Sequence, residues 1–422
     1  MSLIAHRAAG RQLFDGLGVP AVDALGVLLG MGILLTSATQ LRLPGLPIGP
    51  GELILTLSLV LLGFLMLRSG PAPVHAIAGP WMWFWLATAF AMSAGWIVGT
   101  LSAESVPSSG RDGAAYGFSA AMVALLVAGP RPDRTIKVAL VTLLTATPLV
   151  LGALFLLALG GRDLGPVNVW YEGVRFRAWA ANPNQLALLL APQPWLAVAI
   201  GGRGWRRLLL IAGLAVVLVL GIATGSDALA ASWAFGGVVW FVAAVTATIT
   251  RRRDSIRSAG LARVVLPMCL LFVAVAEGGA VVDWVAERGS QTYVLAGQGP
   301  DRLARWRFGL EAVAQSPIVG FGPGSFAGNR SAFAAEEAHS TPIDWATSTG
   351  LVGLLTLGLL IGWIAVRVVR RRQVWPILAL LSVLSFMSLH YVLRHPAAWF
   401  YLVVLSTGSS LGAPLRRHIY ES

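Results

Sequence analysis

Apolar runs of about 20 residues recur along the whole chain, the length a helix needs to cross a hydrocarbon core. That recurrence leaves few folds open. The runs are continuous rather than alternating, which argues against a transmembrane β-barrel. Hydrophobic residues make up 56% of the chain and charged residues 12%, against roughly one quarter charged in soluble domains. The reading is an all-α polytopic membrane protein, one transmembrane domain over residues 1–422 whose core is the helix bundle itself. Twelve spans are expected: Val19–Ser37, Pro50–Leu67, Ile77–Leu101, Ala114–Ala128, Ile136–Leu159, Gln185–Ile200, Leu208–Thr224, Ala228–Thr248, Leu261–Val282, Ile343–Val366, Trp375–Val392 and Pro396–Leu411. Met1–Asp15 is short and basic, and the run after it is long enough to be retained rather than cleaved. Cys269 is the single cysteine. It excludes an intramolecular disulfide and argues against a thiolate metal site.

The net charge of +12 is almost all arginine, Lys137 being the only lysine. No basic run is interleaved with soluble aromatic segments, so the charge reads as membrane topology and not as a nucleic-acid footprint. With the N-terminus inside, 20 of the 31 basic residues fall in cytoplasmic stretches. Both termini are then cytoplasmic. The outer arginines are not scattered: Arg175 and Arg177 form one group, and Arg302, Arg305 and Arg307 another.

Two outer loops, Gly160–Asn184 and Asp283–Pro342, exceed what a connection needs, and loops of that size are usually functional or disordered. The second has too much pattern for disorder. Asp301 can cap a helix on which Leu303, Trp306, Leu310 and Val313 share one face. Arg302 and Arg305, three apart, project together. Gly320, Gly322, Pro323 and Gly324 then force tight turning. A short amphipathic helix on the outer membrane surface fits this stretch. The loop 283–342 is expected to lie as an insertion over a membrane cavity.

Both arginine groups suit a phosphate, because guanidinium stays charged and pairs with phosphate oxygens bidentately. Asn182 of the Asn-Pro-Asn turn can cap the next helix, whose N-terminus adds partial positive charge. The alternative for each arginine is an interfacial side chain snorkelling to headgroups. Trp306 can anchor the surface helix. His339, just ahead of a long apolar span, can take a proton from an attacking hydroxyl; the alternative is a plain surface histidine. No His/Cys/Asp set has metal-ligand spacing, and no cofactor motif is present; the glycines at 320–324 lack the end of a Walker loop. Intramembrane acids are scarce. Glu52 and Glu277 are candidates by default, and Asp227 reads first as a helix start.

At these residues the chain resembles the O-antigen ligase and repeat-unit polymerase superfamily of bacterial membrane glycosyltransferases. The resemblance covers roughly Val174–Leu360. It rests on Arg175 with Asn182-Pro183-Asn184, and on Arg302 with Trp306. It continues through Pro317, Gly320, Gly322, Gly324 and Phe326, then Ala338-His339-Ser340, then Gly350 and Gly353. Departures are Ala178 for a usual Gly, Ser340 for Asn, Ser348 for a Glu, and Ser226-Asp227 for Ser-Arg. The resemblance implies an enzyme at the outer face of the bacterial inner membrane. It would move a glycan from undecaprenyl diphosphate to a glycan or lipid A-core acceptor, without metal or other cofactor and with inversion. It implies that Arg175, Arg177, Arg302 and Arg305 hold the diphosphate and that His339 orients or deprotonates the acceptor. Membrane lipids and polysaccharide-assembly proteins are the implied partners. A lipid-linked glycan flippase, or another polytopic transporter, is the alternative from a different class. It is disfavoured because no internal repeat is found and the polar residues gather at one face rather than at the midplane.

Overall fold

The computed structural model describes residues 19–43, 48–69, 78–102, 109–129, 131–162, 165–201, 205–250, 298–324, 336–371 and 373–407. The expected span Leu261–Val282, with Cys269 and Glu277, lies outside them. So do both chain termini and much of the loop 283–342. The described chain is helical almost throughout: α1 Val19–Leu35, α2 Pro50–Ser69, α3 Ala78–Leu101, α4 Ser109–Ala128, α5 Pro132–Leu159, α6 Pro183–Leu190, α7 Gln193–Ile200, α8 Trp205–Ala223, α9 Asp227–Thr250, α10 Gln298–Gln315, α11 Thr341–Arg370, α12 Val374–Leu389 and α13 Pro396–Thr407. A two-residue hairpin, β1 Trp170–Tyr171 and β2 Arg175–Phe176, is antiparallel.

Among the described residues five helices are long and apolar enough to cross a membrane: α2, α3, α5, α9 and α11. Four more, α1, α8, α12 and α13, are apolar but shorter. The bundle turns apolar stripes outward. Leu53, Leu57, Val60 and Phe64 on α2, and Trp83, Leu86, Phe90 and Ile97 on α3, are exposed. Contiguous apolar surface of this extent marks a lipid-facing wall. The middle is α13, buried along its whole length and packed on α1, α4, α5, α6, α11 and α12. A helix apolar all round belongs at such a centre.

Two expected spans are broken helices. Gln185–Ile200 divides into α6 and α7 at Ala191-Pro192. Pro192 and Pro194 lack the N–H that would close the turn, so carbonyls are released inside the bundle. Side chains from neighbouring helices occupy carbonyls here. Trp233 Nε1 and the Ser382 hydroxyl donate to Ala191 O at 2.9 and 2.8 Å. Gln193 Nε2 and the Tyr401 hydroxyl donate to Leu189 O at 3.0 and 2.6 Å.

The span expected from Ile343 breaks at Gly350, whose backbone (φ 60°, ψ −160°) is not helical. The half before it, Thr341–Thr349, is nearly all buried in protein, and the half after it alternates between buried and exposed positions. The segment Pro317–Gly322 is stitched into the gap. Phe321 N–H donates to Thr347 O (2.8 Å) and Gly322 N–H to Ser348 O (3.1 Å), while Leu351 and Val352 donate back to Pro317 O (2.7 Å) and Ile318 O (3.1 Å). The other face of that segment lies on α3. A Cβ on Gly95 would sit 2.5 Å from Val319 O, and one on Gly99 2.3 Å from Phe321 O.

Gly320 has φ +68°, and a Cβ there would meet Thr347 O at 2.5 Å. Gly320→Ala should therefore cost about 2 kcal/mol or more, from strain and displacement of the splice. Gly63, in open space on α2, is the control. Thermal unfolding in detergent should show a lowered midpoint for G320A and an unchanged one for G63A.

Candidate functional site

His339 lies between the splice and the start of α11. Its backbone is left-handed at φ +55°, rare for a residue with a Cβ and a mark of local constraint. The constraint is Asp344, fully buried one turn into α11. Its carboxylate accepts the N–H groups on both sides of His339, Ala338 at 2.7 Å and Ser340 at 3.0 Å. This resembles a capping box, with an acid reaching back to the amide at the helix start. Thr341 ties the loop to the turn between α12 and α13. Its hydroxyl donates to His390 O at 2.6 Å and accepts from Val392 N–H at 3.2 Å. The His339 and His390 rings then lie edge to face, 5.6 Å between centroids.

A charge cluster adjoins this loop. Asp112, 1% exposed in the first turn of α4, receives Arg394 Nη1 at 3.3 Å on both oxygens. Arg394 also pairs with Glu337, and its guanidinium lies 5.4 Å from the centre of the Tyr391 ring. Tyr391 and Tyr116 share a hydroxyl–hydroxyl hydrogen bond. Glu336 turns the other way and pairs with Arg305 on α10, the helix that packs on α11.

Tyr116 also lines a cavity of about 420 Å³ between α3 and α4, with Trp85, Thr88, Met92, Trp96 and Pro323 among its other walls. The Trp85 N–H and the Thr88 hydroxyl are buried there with no partner among the described residues.

Arg175 and Arg177 sit elsewhere. Arg175 on β2 donates from Nε to Thr224 O, just past the end of α8, at 2.9 Å, and makes a long 3.5 Å contact from Nη2 to Asn184 Oδ1. Among the described residues it forms no ion pair. Burial pulls its guanidinium down from the ordinary value, while Asp227, Glu172 and Tyr171 act in the opposite direction. Arg177 donates to Asn168 O (2.9 Å) and Ala181 O (2.8 Å) and lies over the Tyr171 ring. Asn182 caps α6, accepting Asn184 N–H at 2.8 Å. Ala178 is left-handed, φ +49°, so the glycine usual in the resembling family would fit there without strain.

The sequence candidates therefore divide. Arg305 and His339 belong to one neighbourhood through Glu336 and Glu337. Arg175 and Arg177 share another with Asn182. Among the described residues no contact of Arg175 or Arg177 reaches α10 or the His339 loop, so the expected meeting of the two arginine groups is not made by direct contact. Arg302 lies on α10 one turn before Trp306, and its side chain is outside the described residues. The Trp306 N–H is buried with no partner among the described residues. Arg307 is exposed and pairs with Glu311. Glu52 is structural, accepting Arg42 Nη2 at 2.9 Å and Gly49 N–H at 3.0 Å at the start of α2. Asp227 begins α9, as expected.

Asp112, Glu337, Asp344, His390 and Arg394 were missed. Asp112 carries a readable signal, an acid within reach of an apolar run, but it falls outside the fourth expected span, which starts at Ala114, whereas α4 starts five residues earlier at Ser109. Arg394 is a lone arginine between two apolar runs, and its partner is 282 positions away.

Residues 212–358 match the family model described as O-antigen ligase. No curated protein matches the chain. The matched stretch runs from α8 to the second half of α11 and contains Arg302, Arg305, Trp306, the splice and His339.

Asp344→Ala removes both hydrogen bonds that hold His339 in its left-handed conformation. A hydrogen bond contributes about 0.5–1.5 kcal/mol net, and leaving a buried donor bare costs about 1–3 kcal/mol. Hydrogen exchange read by mass spectrometry on a peptide covering residues 336–345 should show the Ala338 and Ser340 amides losing protection. A wild-type pattern would mean that Asp344 does not hold the loop.

Proposed function

We propose that this chain, whose residues 212–358 match the family model described as O-antigen ligase, transfers a glycan from undecaprenyl diphosphate to an acceptor hydroxyl. The acceptor is a glycan or lipid A-core sugar, and the site faces the periplasm from the bacterial inner membrane. The observation that carries this reading is His339: one imidazole, clamped in a left-handed loop at the polar end of a lipid-facing bundle, inside the stretch that matches the family.

In the proposed step His339 takes the proton of the acceptor hydroxyl. The freed oxygen forms a bond to the anomeric carbon. The bond from that carbon to the phosphate oxygen breaks, and its electron pair leaves with the diphosphate. One direct displacement inverts the anomeric centre. Charge grows on the leaving group as the bond breaks, so fixed cations there stabilise the transition state more than the ground state. They make a divalent metal unnecessary.

Arg175 is well suited to this task. A partly buried cation without a carboxylate partner is costly unless an anion joins it. It sits by Asn184 in the first turn of α6 and by Gly225 just ahead of α9, and helix N-termini favour negative charge. Arg177, Arg302 and Arg305 are the further cations of the diphosphate set, and Trp306 offers its unpartnered N–H. The cavity beside Tyr116 suits the donor's hydrocarbon chain. It follows α3 from Trp96 to Trp85 and α4 from Ser109 to Ala120, about 16 Å at 1.5 Å per residue.

The test is transfer from a defined lipid-linked glycan by the reconstituted protein. Arg175→Ala and Arg302→Ala should each lower turnover by about 10²–10³-fold, the scale for removing one group that stabilises developing charge, while the protein stays folded. His339→Ala should do the same; a wild-type rate would remove the base assignment. Ala120→Trp, which fills the cavity, should raise KM for the donor. Activity should persist in EDTA, and strict metal dependence would overturn the scheme. Lipid-linked glycan moved across the membrane without transfer would favour a flippase.

A further inference from the structure

We propose that Glu337 is the positioning residue of His339, and that Arg394 and Asp112 hold Glu337 in place for it. The proposal rests on the reading of His339 as the base. Glu337 Oε2 lies 3.7 Å from His339 Nδ1, while its other oxygen pairs with Arg394. Arg394 in turn rests on both oxygens of Asp112. The chain of contacts thus runs from α4, through the turn before α13, to the loop. Its buried end is rigid, because Asp112 has almost no exposure.

The charges suit an imidazolium. Two carboxylates flank the Arg394 guanidinium, and the nearer of them to the loop, Glu337, faces His339. Arg111, an exposed side chain, pairs with Asp112 at 3.4 Å at the far end of the cluster. The other charged groups around His339 are committed elsewhere. Asp344 on α11 accepts the Ala338 and Ser340 amides. Arg305 on α10 pairs with Glu336. The His390 ring, just past the end of α12, lies edge to face with that of His339. The Tyr391 and Tyr116 hydroxyls bond each other.

A carboxylate at Nδ1 fixes the tautomer, leaves Nε2 as the acceptor nitrogen and stabilises the imidazolium that forms. The 3.7 Å separation is longer than a hydrogen bond, and such contacts often tighten only in the substrate complex. Glu337, not its neighbour Glu336, has the geometry for this. Glu336 is half-exposed and drawn to α10.

The experiment compares the full chain with Glu337→Gln, and with Glu337→Asp as the charge-keeping control. Diethyl pyrocarbonate modification of His339 is followed against pH by peptide mass spectrometry, and turnover of lipid-linked donor is measured in parallel. Glu337→Gln leaves Arg394 its Asp112 partner, so the fold should survive. Loss of the carboxylate should lower the midpoint of the His339 titration by about one pH unit, on the scale of a nearby opposite charge. It should lower kcat by about 10–100-fold with the donor KM unchanged, and E337D should recover part of both. A His339 titration that E337Q leaves in place overturns the proposal, whether or not the chain transfers glycan. A shifted titration in a chain that transfers nothing supports the positioning role and removes the glycan-transfer reading instead.

Discussion

Four backbone hydrogen bonds between Pro317–Gly322 and the break in α11 hold the rest of the site in register. A helix interrupted within an apolar bundle exposes peptide groups that lipid cannot satisfy, at several kcal/mol for each group left bare. Here another segment of the same chain enters the gap and bonds to both sides of it. That segment can enter only because Gly95 and Gly99 leave room on α3, and because Gly320 and Gly322 adopt conformations that residues with a Cβ resist. The break lets the first half of α11 lie inside protein rather than in lipid. It thereby brings His339, at that half's start, against the turn between α12 and α13.

Around this frame the charges fall into two kinds. Asp112, Arg394 and Glu337 are paired with one another within the protein, and Arg305 has Glu336. Such paired groups shape a site and orient its parts, because opposite charges in contact hold each other in place. Arg175 is different. It bonds to a carbonyl and a side-chain amide and faces the Tyr171 ring, with Asp227 and Glu172 acting on it without direct pairing. The two arginines thus differ in kind: Arg305 is paired with a carboxylate, and Arg175 meets neutral acceptors.

Much of the architecture was legible because lipid imposes it. Continuous apolar length marks a span, and α2, α3, α5 and α9 begin or end close to where hydropathy puts them. Breaks were harder to see. Pro192 and Pro194 stand in the sequence, but proline inside an apolar run is tolerated when neighbours satisfy the freed carbonyls, so only the partners Trp233, Ser382 and Tyr401 show what happens there. The glycines at 320, 322 and 350 form a visible pattern, but nothing local shows that two patterns about 30 residues apart bond to each other. The helix cap by Asn182 was readable, being a contact over two residues. The pairing of Asp112 with Arg394 was not, since only the folded bundle brings residues so distant into contact.

The departures from the resembling family acquire a physical meaning in this frame. Ser348 stands where a glutamate is usual, yet its position is fully buried and its hydroxyl donates to Asp344 O at 3.0 Å within its own helix. A carboxylate there would be desolvated. Ser340, in place of the usual asparagine, starts α11 without a side-chain cap of its own. Asp344 does that work from inside the helix by accepting the Ser340 amide. With its acid at 344 fixing the backbone and its acid at 337 facing the imidazole, the loop separates two tasks that one carboxylate could not perform together. One holds the peptide in a conformation it would otherwise leave; the other lies 3.7 Å from the ring nitrogen. That division gives a five-residue loop at the rim of an apolar bundle a backbone held from inside the next helix and an imidazole beside a separate carboxylate.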